Sequence, residues 1–284
     1  MIKLITDSAA DIPASELEAY GIQILPIPIV IDGKTYREGV DFTPEEFYPL
    51  LENAQSIPTH SQVTAVEFEE AFRQNAAAGV QSIICVTITS KGSGIYDAAC
   101  LARKNVLEDG VYPGLTIDVI DSRQYTYVYG QAVVAAAKAA QEGKSRQEVL
   151  DILNFRLTHY QAILGLTNLT YAKKSGRITT VAAFVGELMG FRPILRLTGG
   201  ELITESKVRG DKKLADTLVS MFRKERSKDG RPFYVFTGNN MELAEQLRDA
   251  LIADGNEYAG LYHTGGAVTT NAGPTVTGII MPID

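Results

Sequence analysis

Apolar and polar positions follow two rhythms along this chain, and the most informative change between them comes just after a strand-like run. Ser82-Ile83-Ile84-Cys85-Val86-Thr87-Ile88 is short, apolar and rich in β-branched residues, the pattern of a buried strand. Ala98, Ala99, Leu101, Ala102 and Val106 then recur at helical spacing. The link between them, Thr89-Ser90-Lys91-Gly92-Ser93-Gly94, is dense in hydroxyl groups and glycine. A strand that feeds a helix through such a loop leaves backbone N–H groups at the positive end of the helix dipole. Glycine lets a ligand approach that backbone, and Ser93 stands between two of them. The stretch reads as a cradle for a carboxylate or phosphate, or more plainly as a loop in which Ser93 caps a helix.

The same grammar recurs on either side. Ile2 to Thr6 predicts a first strand ending in Thr6-Asp7-Ser8-Ala9-Ala10-Asp11, and a helix from Pro13 to Tyr20 stops at Gly21. Ile24 to Ile31 reads as extended, with Pro26 and Pro28 pushing it towards a sheet edge, before Asp32-Gly33 turns a hairpin. Thr43-Pro44-Glu45-Glu46 and Thr64-Ala65-Val66-Glu67 are capping boxes that open helices, and the hydroxyl-rich loop 57–63 lies between those helices. Leu115 to Ile120 predicts a strand finishing in Asp121-Ser122, followed by helices from Tyr125 to Gln141 and from Ser145 to near Tyr160. Alternating strands and helices, with Asp and Ser after the strands, predict a parallel Rossmann-like α/β sheet. Sites in such sheets gather at the carboxyl ends of the strands, where Asp7-Ser8, the Ser93 loop and Asp121-Ser122 all fall.

Near Gln161 the pattern changes. Ala162 to Leu166 reads as a strand, 169–178 as a short basic helix and turn, and Val181 to Met189 as an apolar helix. A hairpin over Thr198-Gly199-Gly200 follows, then a helix from Asp211 to near Arg226 and strands at 233–236, 258–263 and 276–281, with a helix at 241–253. The expected organisation is two α/β domains, 1–160 with the parallel sheet and 161–284 with a mixed sheet.

Composition narrows the function classes. The 284 residues carry 45% hydrophobic and 21% charged side chains, as a globular protein does. The formal charge is −7, from 27 basic and 34 acidic residues, and no basic stripe interleaves with aromatics, so nucleic acid is not an expected partner. No apolar run reaches a membrane span, and the first residues move straight into a strand, which points to the cytoplasm. Cys85 and Cys100 read as core fillers, and the spacing of His60, His159 and His263 offers no metal site.

Taken in order, Thr6-Asp7-Ser8-Ala9-Ala10-Asp11, Pro58-Thr59-His60-Ser61-Gln62, Ser90-Lys91-Gly92-Ser93-Gly94-Ile95-Tyr96, Asp121-Ser122, Ser175-Gly176-Arg177-Ile178, the Gly199-Gly200 hairpin with Lys207 and Arg209, and Gly273-Pro274 carry a resemblance. The chain resembles, essentially end to end, the DegV family of bacterial two-domain proteins, which includes the fatty-acid-binding subunits of fatty acid kinase. The resemblance implies a binding protein without a cofactor or chemistry of its own. It would grip one long-chain fatty acid, its carboxylate on the hydroxyl loops and its tail in the second domain. A partner kinase would phosphorylate the carboxylate to an acyl phosphate for phospholipid synthesis, with no transmembrane segment and at most transient membrane contact. On this chain the implied carboxylate residues are Ser93, Gly94, His60, Ser61, Arg177 and Asn271. Two departures stand out: His60 replaces the family's usual Thr, and Asn271 its usual His. If the two positions face one another across the cleft, the imidazole has changed sides.

Two other readings fit the residues. Ser93, His60 and Asp7 or Asp121 supply the groups of a serine hydrolase, although the first glycine of a nucleophile elbow is missing. The loops would also suit another small anion, such as a phosphosugar or nucleotide, without any dinucleotide or Walker motif.

Overall fold

The computed structural model describes residues 1–175 and 190–284. The chain begins with β1 (Ile2–Asp7), a 3-10 turn at Ser8–Ala10, α1 (Ala14–Tyr20), β2 (Gln23–Leu25), β3 (Pro28–Ile31), β4 (Lys34–Arg37) and α2 (Pro44–Asn53). It continues through β5 (Thr59–His60), α3 (Ala65–Ala77), β6 (Ser82–Thr87), α4 (Ile95–Glu108), β7 (Thr116–Asp121), α5 (Tyr127–Gln141) and α6 (Arg146–Thr158). Then come β8 (Tyr160–Gly165), α7 (Thr170–Ser175), β9 (Phe191–Thr198), β10 (Glu201–Arg209) and α8 (Asp211–Glu225). The last elements are β11 (Phe233–Thr237), α9 (Met241–Ala253), β12 (Tyr258–His263), α10 (Gly266–Ala272) and β13 (Thr277–Pro282).

The first sheet has the order β2-β1-β6-β7, and every pairing in it is parallel. Of its two inner strands, β6 is buried along its whole length, as its unbroken apolar run requires of a strand covered on both faces. The second sheet has the order β10-β9-β8-β13-β11-β12 and is mixed: β11 and β12 run parallel, and the remaining neighbours antiparallel. Capping boxes at Thr43, Thr64 and Ser145 close reciprocally with Glu46, Glu67 and Glu148 and fix the starts of α2, α3 and α6.

The extended stretch 24–31 does not stay in one sheet. Pro26 interrupts it, Ile27 N donates to Ser8 Oγ instead of to a ladder, and the chain leaves β2 at the sheet edge. It re-enters as β3, the middle strand of a small antiparallel sheet in the order β4-β3-β5. Pro28 is tolerated there because it takes the first position of the strand. The expected apolar helix from Val181 to Met189 and the turn at Gly176-Arg177-Ile178 lie outside the described residues.

One apolar cluster runs through both large sheets, from Ile5, Ile84 and Ala99 to Leu164, Leu197 and Phe236. A second lies beneath α8 and α9 around Leu218, Phe222 and Leu247. Polar contacts also cross the seam: Tyr127 stacks on Tyr262 with ring centroids 3.4 Å apart, and both hydroxyls donate to Glu16, at 2.7 and 3.0 Å. Among the described residues no helix is long and apolar enough to cross a membrane.

Candidate functional site

The loops after β1, β6 and β7 are tied into one platform by the acids that end two of those strands. Asp7 Oδ2 accepts from Ile88 N at 2.8 Å, while its Oδ1 accepts from Tyr129 OH and Ala9 N. Burial pushes this carboxyl up to about 6, against the pull of those same hydrogen bonds. Asp121 accepts from Ser90 N and Ser90 Oγ, at 3.1 and 2.6 Å, and from Arg123 N. Both acids therefore brace the Ser93 loop.

The Gly199-Gly200 hairpin closes over this platform. Thr89 Oγ1 donates to Gly200 O, and a Cβ at Gly200 would fall against that hydroxyl oxygen, so the close approach needs glycine. Gly92 and Gly94 meet a similar demand. The space for a side chain at Gly92 is taken by the Tyr125 hydroxyl, and at Gly94 by the Gln62 amide oxygen. Gly94 is the N-cap of α4, and Ser93 Oγ accepts from Ile95 N at 3.3 Å, which leaves its O–H to donate elsewhere.

His60 reaches the same place from the small sheet, where its register opposite Ile29 fixes it at the end of β5. Its Nε2 accepts from Asn271 Nδ2 at 2.9 Å, and that amide also donates to Ala267 O at 2.7 Å. The two positions do face one another. With Nε2 accepting, the ring proton belongs on Nδ1, an assignment made from the partner.

His60, Ser61, Ser93 and Asn271 line one pocket, together with Tyr125 and Thr126. The rest of its wall is largely apolar and drawn from both large sheets and their connections, including Ile27, Ile88, Leu164, Leu197 and Phe236. Gly94 stands just behind this wall, at the start of α4. Arg177 lies outside the described residues. Asp7 and Asp121, the acids a serine hydrolase would set behind His60, are engaged with the Ile88 and Ser90 segment instead.

Sequence reasoning missed three contributors. Thr126 adopts φ 51°, a conformation no local pattern announces for threonine. The helix α10, spelled Gly-Ala-Val-Thr-Thr-Asn-Ala, has the composition of a loop and is held by its tertiary contacts. Ile27 lines the pocket only because the chain breaks at Pro26, the one signal that was legible.

Comparison with known proteins bears on what this pocket holds. A family model described as uncharacterised protein, DegV family, matches residues 1–283. The chain is 36% identical over 222 residues to a DegV domain-containing protein of Caldanaerobacter subterraneus, across 78% of this chain and 76% of that one. It is 30% identical to a fatty acid-binding protein of Thermotoga maritima, across 98% of this chain and 96% of that one. The solved structure of a stearic acid-binding protein from Eubacterium ventriosum superposes with a TM-score of 0.88 at 27% identity, covering 99% of this chain and 98% of that one.

Proposed function

The chain belongs to the DegV family, and from that premise we propose that it binds a long-chain fatty acid and presents the carboxylate to a partner kinase. Ser93, Ser61 and His60 receive the carboxylate, with the Gly94 backbone behind them and with Asn271, whose two N–H groups go to His60 Nε2 and Ala267 O, orienting the imidazole. The observation that carries this reading is the pocket itself, in which polar side chains from separate elements meet walls that are mostly apolar. Neutral donors suit a carboxylate because its lone pairs are satisfied without burying a second charge. The tail supplies most of the affinity, because ~0.8 kcal/mol per buried CH2 accumulates along the chain, whereas a hydrogen bond nets about 0.5–1.5 kcal/mol.

The protein carries out no covalent step in this scheme. The kinase transfers the γ-phosphoryl group of ATP to a carboxylate oxygen, releasing ADP and leaving an acyl phosphate on the binding protein. Arg177 serves the phosphorylated head group or the kinase, since a guanidinium matches phosphate oxygens in two places at once. The same reading places the protein in the cytoplasm and the product in phospholipid synthesis.

The test loads lipid-free protein with a long-chain acid, adds a bacterial fatty acid kinase and ATP, and traps acyl phosphate with hydroxylamine. Wild type should form hydroxamate, and Arg177→Ala should retain the acid while forming little. Equal loss of binding and transfer in Arg177→Ala would place that residue at the carboxylate instead. Bound acid that no kinase turns over would overturn the presentation step.

A further inference from the structure

Away from the pocket, a buried acid, Glu38, and a half-buried one, Asp11, hold the start of α10. Asp11 Oδ1 accepts from Gly265 N at 2.9 Å, and Glu38 Oε1 accepts from Ala267 N at 2.8 Å. A Cβ at Gly265 would stand 2.5 Å from Glu38 Oε1 and 2.7 Å from Asp11 Oδ1, so both carboxylates close on a single residue that must lack a side chain. Glu38 is 3% exposed and also accepts from Ser8 Oγ, while Asp11 Oδ2 is sealed from solvent. Tyr48 OH anchors the same segment by donating to Thr264 O. The acids come from the loop after β1 and from the residue after β4; the segment they hold links β12 to α10.

We propose that Asp11 and Glu38 form a proton-operated clasp that holds α10, and with it Asn271, against the pocket. None of the hydrogen bonds and ion pairs reaching Asp7, Asp11 or Glu38 among the described residues comes from Lys or Arg. Fully ionised, the group would place three negative charges in a buried space. Burial accordingly pushes Glu38 up to about 7, and burial followed by the Glu38 charge holds Asp11 well above the usual carboxylate range. The other titratable groups facing the clasp are Asp7, Tyr129 and Tyr48, with Glu45, Tyr262 and His263 on the adjoining cavity wall, His263 Nε2 lying 3.7 Å from Glu45.

The sign follows from proton linkage. Opening the clasp hydrates the two acids and returns them to ordinary carboxylate values, so the closed form binds more protons than the open form. Closure is therefore strongest below the ordinary carboxylate range and weakens as pH rises from there, the Glu38 contribution being lost by about 7. Because α10 carries Asn271, loosening it also loosens the polar end of the pocket; this consequence rests on the fatty acid reading, whereas the clasp does not.

Hydrogen exchange in ligand-free protein tests the clasp directly. Protection of the Gly265 and Ala267 amides, with the intrinsic pH dependence divided out, should fall between about pH 4.5 and about pH 7, by up to about tenfold per pH unit for each proton released. Glu38→Gln keeps an oxygen for Ala267 N and cannot ionise, so the amides should stay protected with a shallower slope. Gly265→Ala should lower protection at every pH. Equal slopes in wild type and Glu38→Gln, or a flat wild-type profile, would overturn the proposal. The release rate of a bound long-chain acid, followed over the same range, should rise with pH in wild type and rise less in Glu38→Gln. A flat release rate beside a sloping exchange profile would uphold the clasp and overturn its link to the ligand.

Discussion

The bond from Asn271 to His60 joins residues 211 apart in sequence and fixes both the tilt of the imidazole and the reach of α10. Removing either side chain leaves the other short of a partner in a half-buried place, a loss of roughly 1–3 kcal/mol each in ligand affinity. Because one bond is shared, the losses should not add. His60→Ala and Asn271→Ala together are expected to cost about 0.5–1.5 kcal/mol less than the sum of the single variants, measured by displacement of a fluorescent fatty acid. Full additivity would mean that the two residues meet the ligand independently. Both residue types were visible in the sequence as departures from a family pattern, but their bond was not, because nothing local brings β5 to α10. The glycines of the Ser93 loop were legible as points of close approach. The sequence suggested a ligand as what approaches them, whereas in the structure that space is taken by Tyr125 and Gln62.

Among the elements, the β9–β10 hairpin shows how a turn far along the chain takes part in the pocket. Gly199 and Gly200 adopt φ 60° and 89°, both in the left-handed region. They differ in surroundings: no atom of the described residues stands within 4 Å of a Cβ placed at Gly199, while one at Gly200 meets Thr89 and Lys91. Gly199→Ala should therefore cost only the backbone term of roughly 1–2 kcal/mol. Gly200→Ala should cost about 1–3 kcal/mol more and should also weaken ligand binding, as it displaces the Ser93 loop. Denaturant unfolding of the two variants would check the difference, and equal stabilities would mean that the hairpin does not press on that loop. Helices with capping boxes were readable because their signals are local. The two-residue strand β5 and the glycine-opened α10 were not, since their order comes from β3, Asp11 and Glu38 rather than from their own residues.

At the scale of the whole molecule, a parallel sheet and a mixed sheet share one apolar cluster, and the pocket opens within it. The two sheets were legible because strand and helix periods alternate cleanly before residue 160 and hairpin patterns appear after it. The shared cluster was not, because it depends on which faces of the sheets meet. A largely apolar pocket that also carries hydroxyl, imidazole and amide groups is expected to retain its ligand through purification, since the buried methylenes slow release. The most direct measurement is to denature the freshly purified recombinant protein and identify the released small molecules by mass spectrometry. The account predicts a long-chain fatty acid in near-stoichiometric amount. Release of a phosphosugar or nucleotide instead, or of no acid from protein that also gains no thermal stability from added long-chain acids, would contradict it.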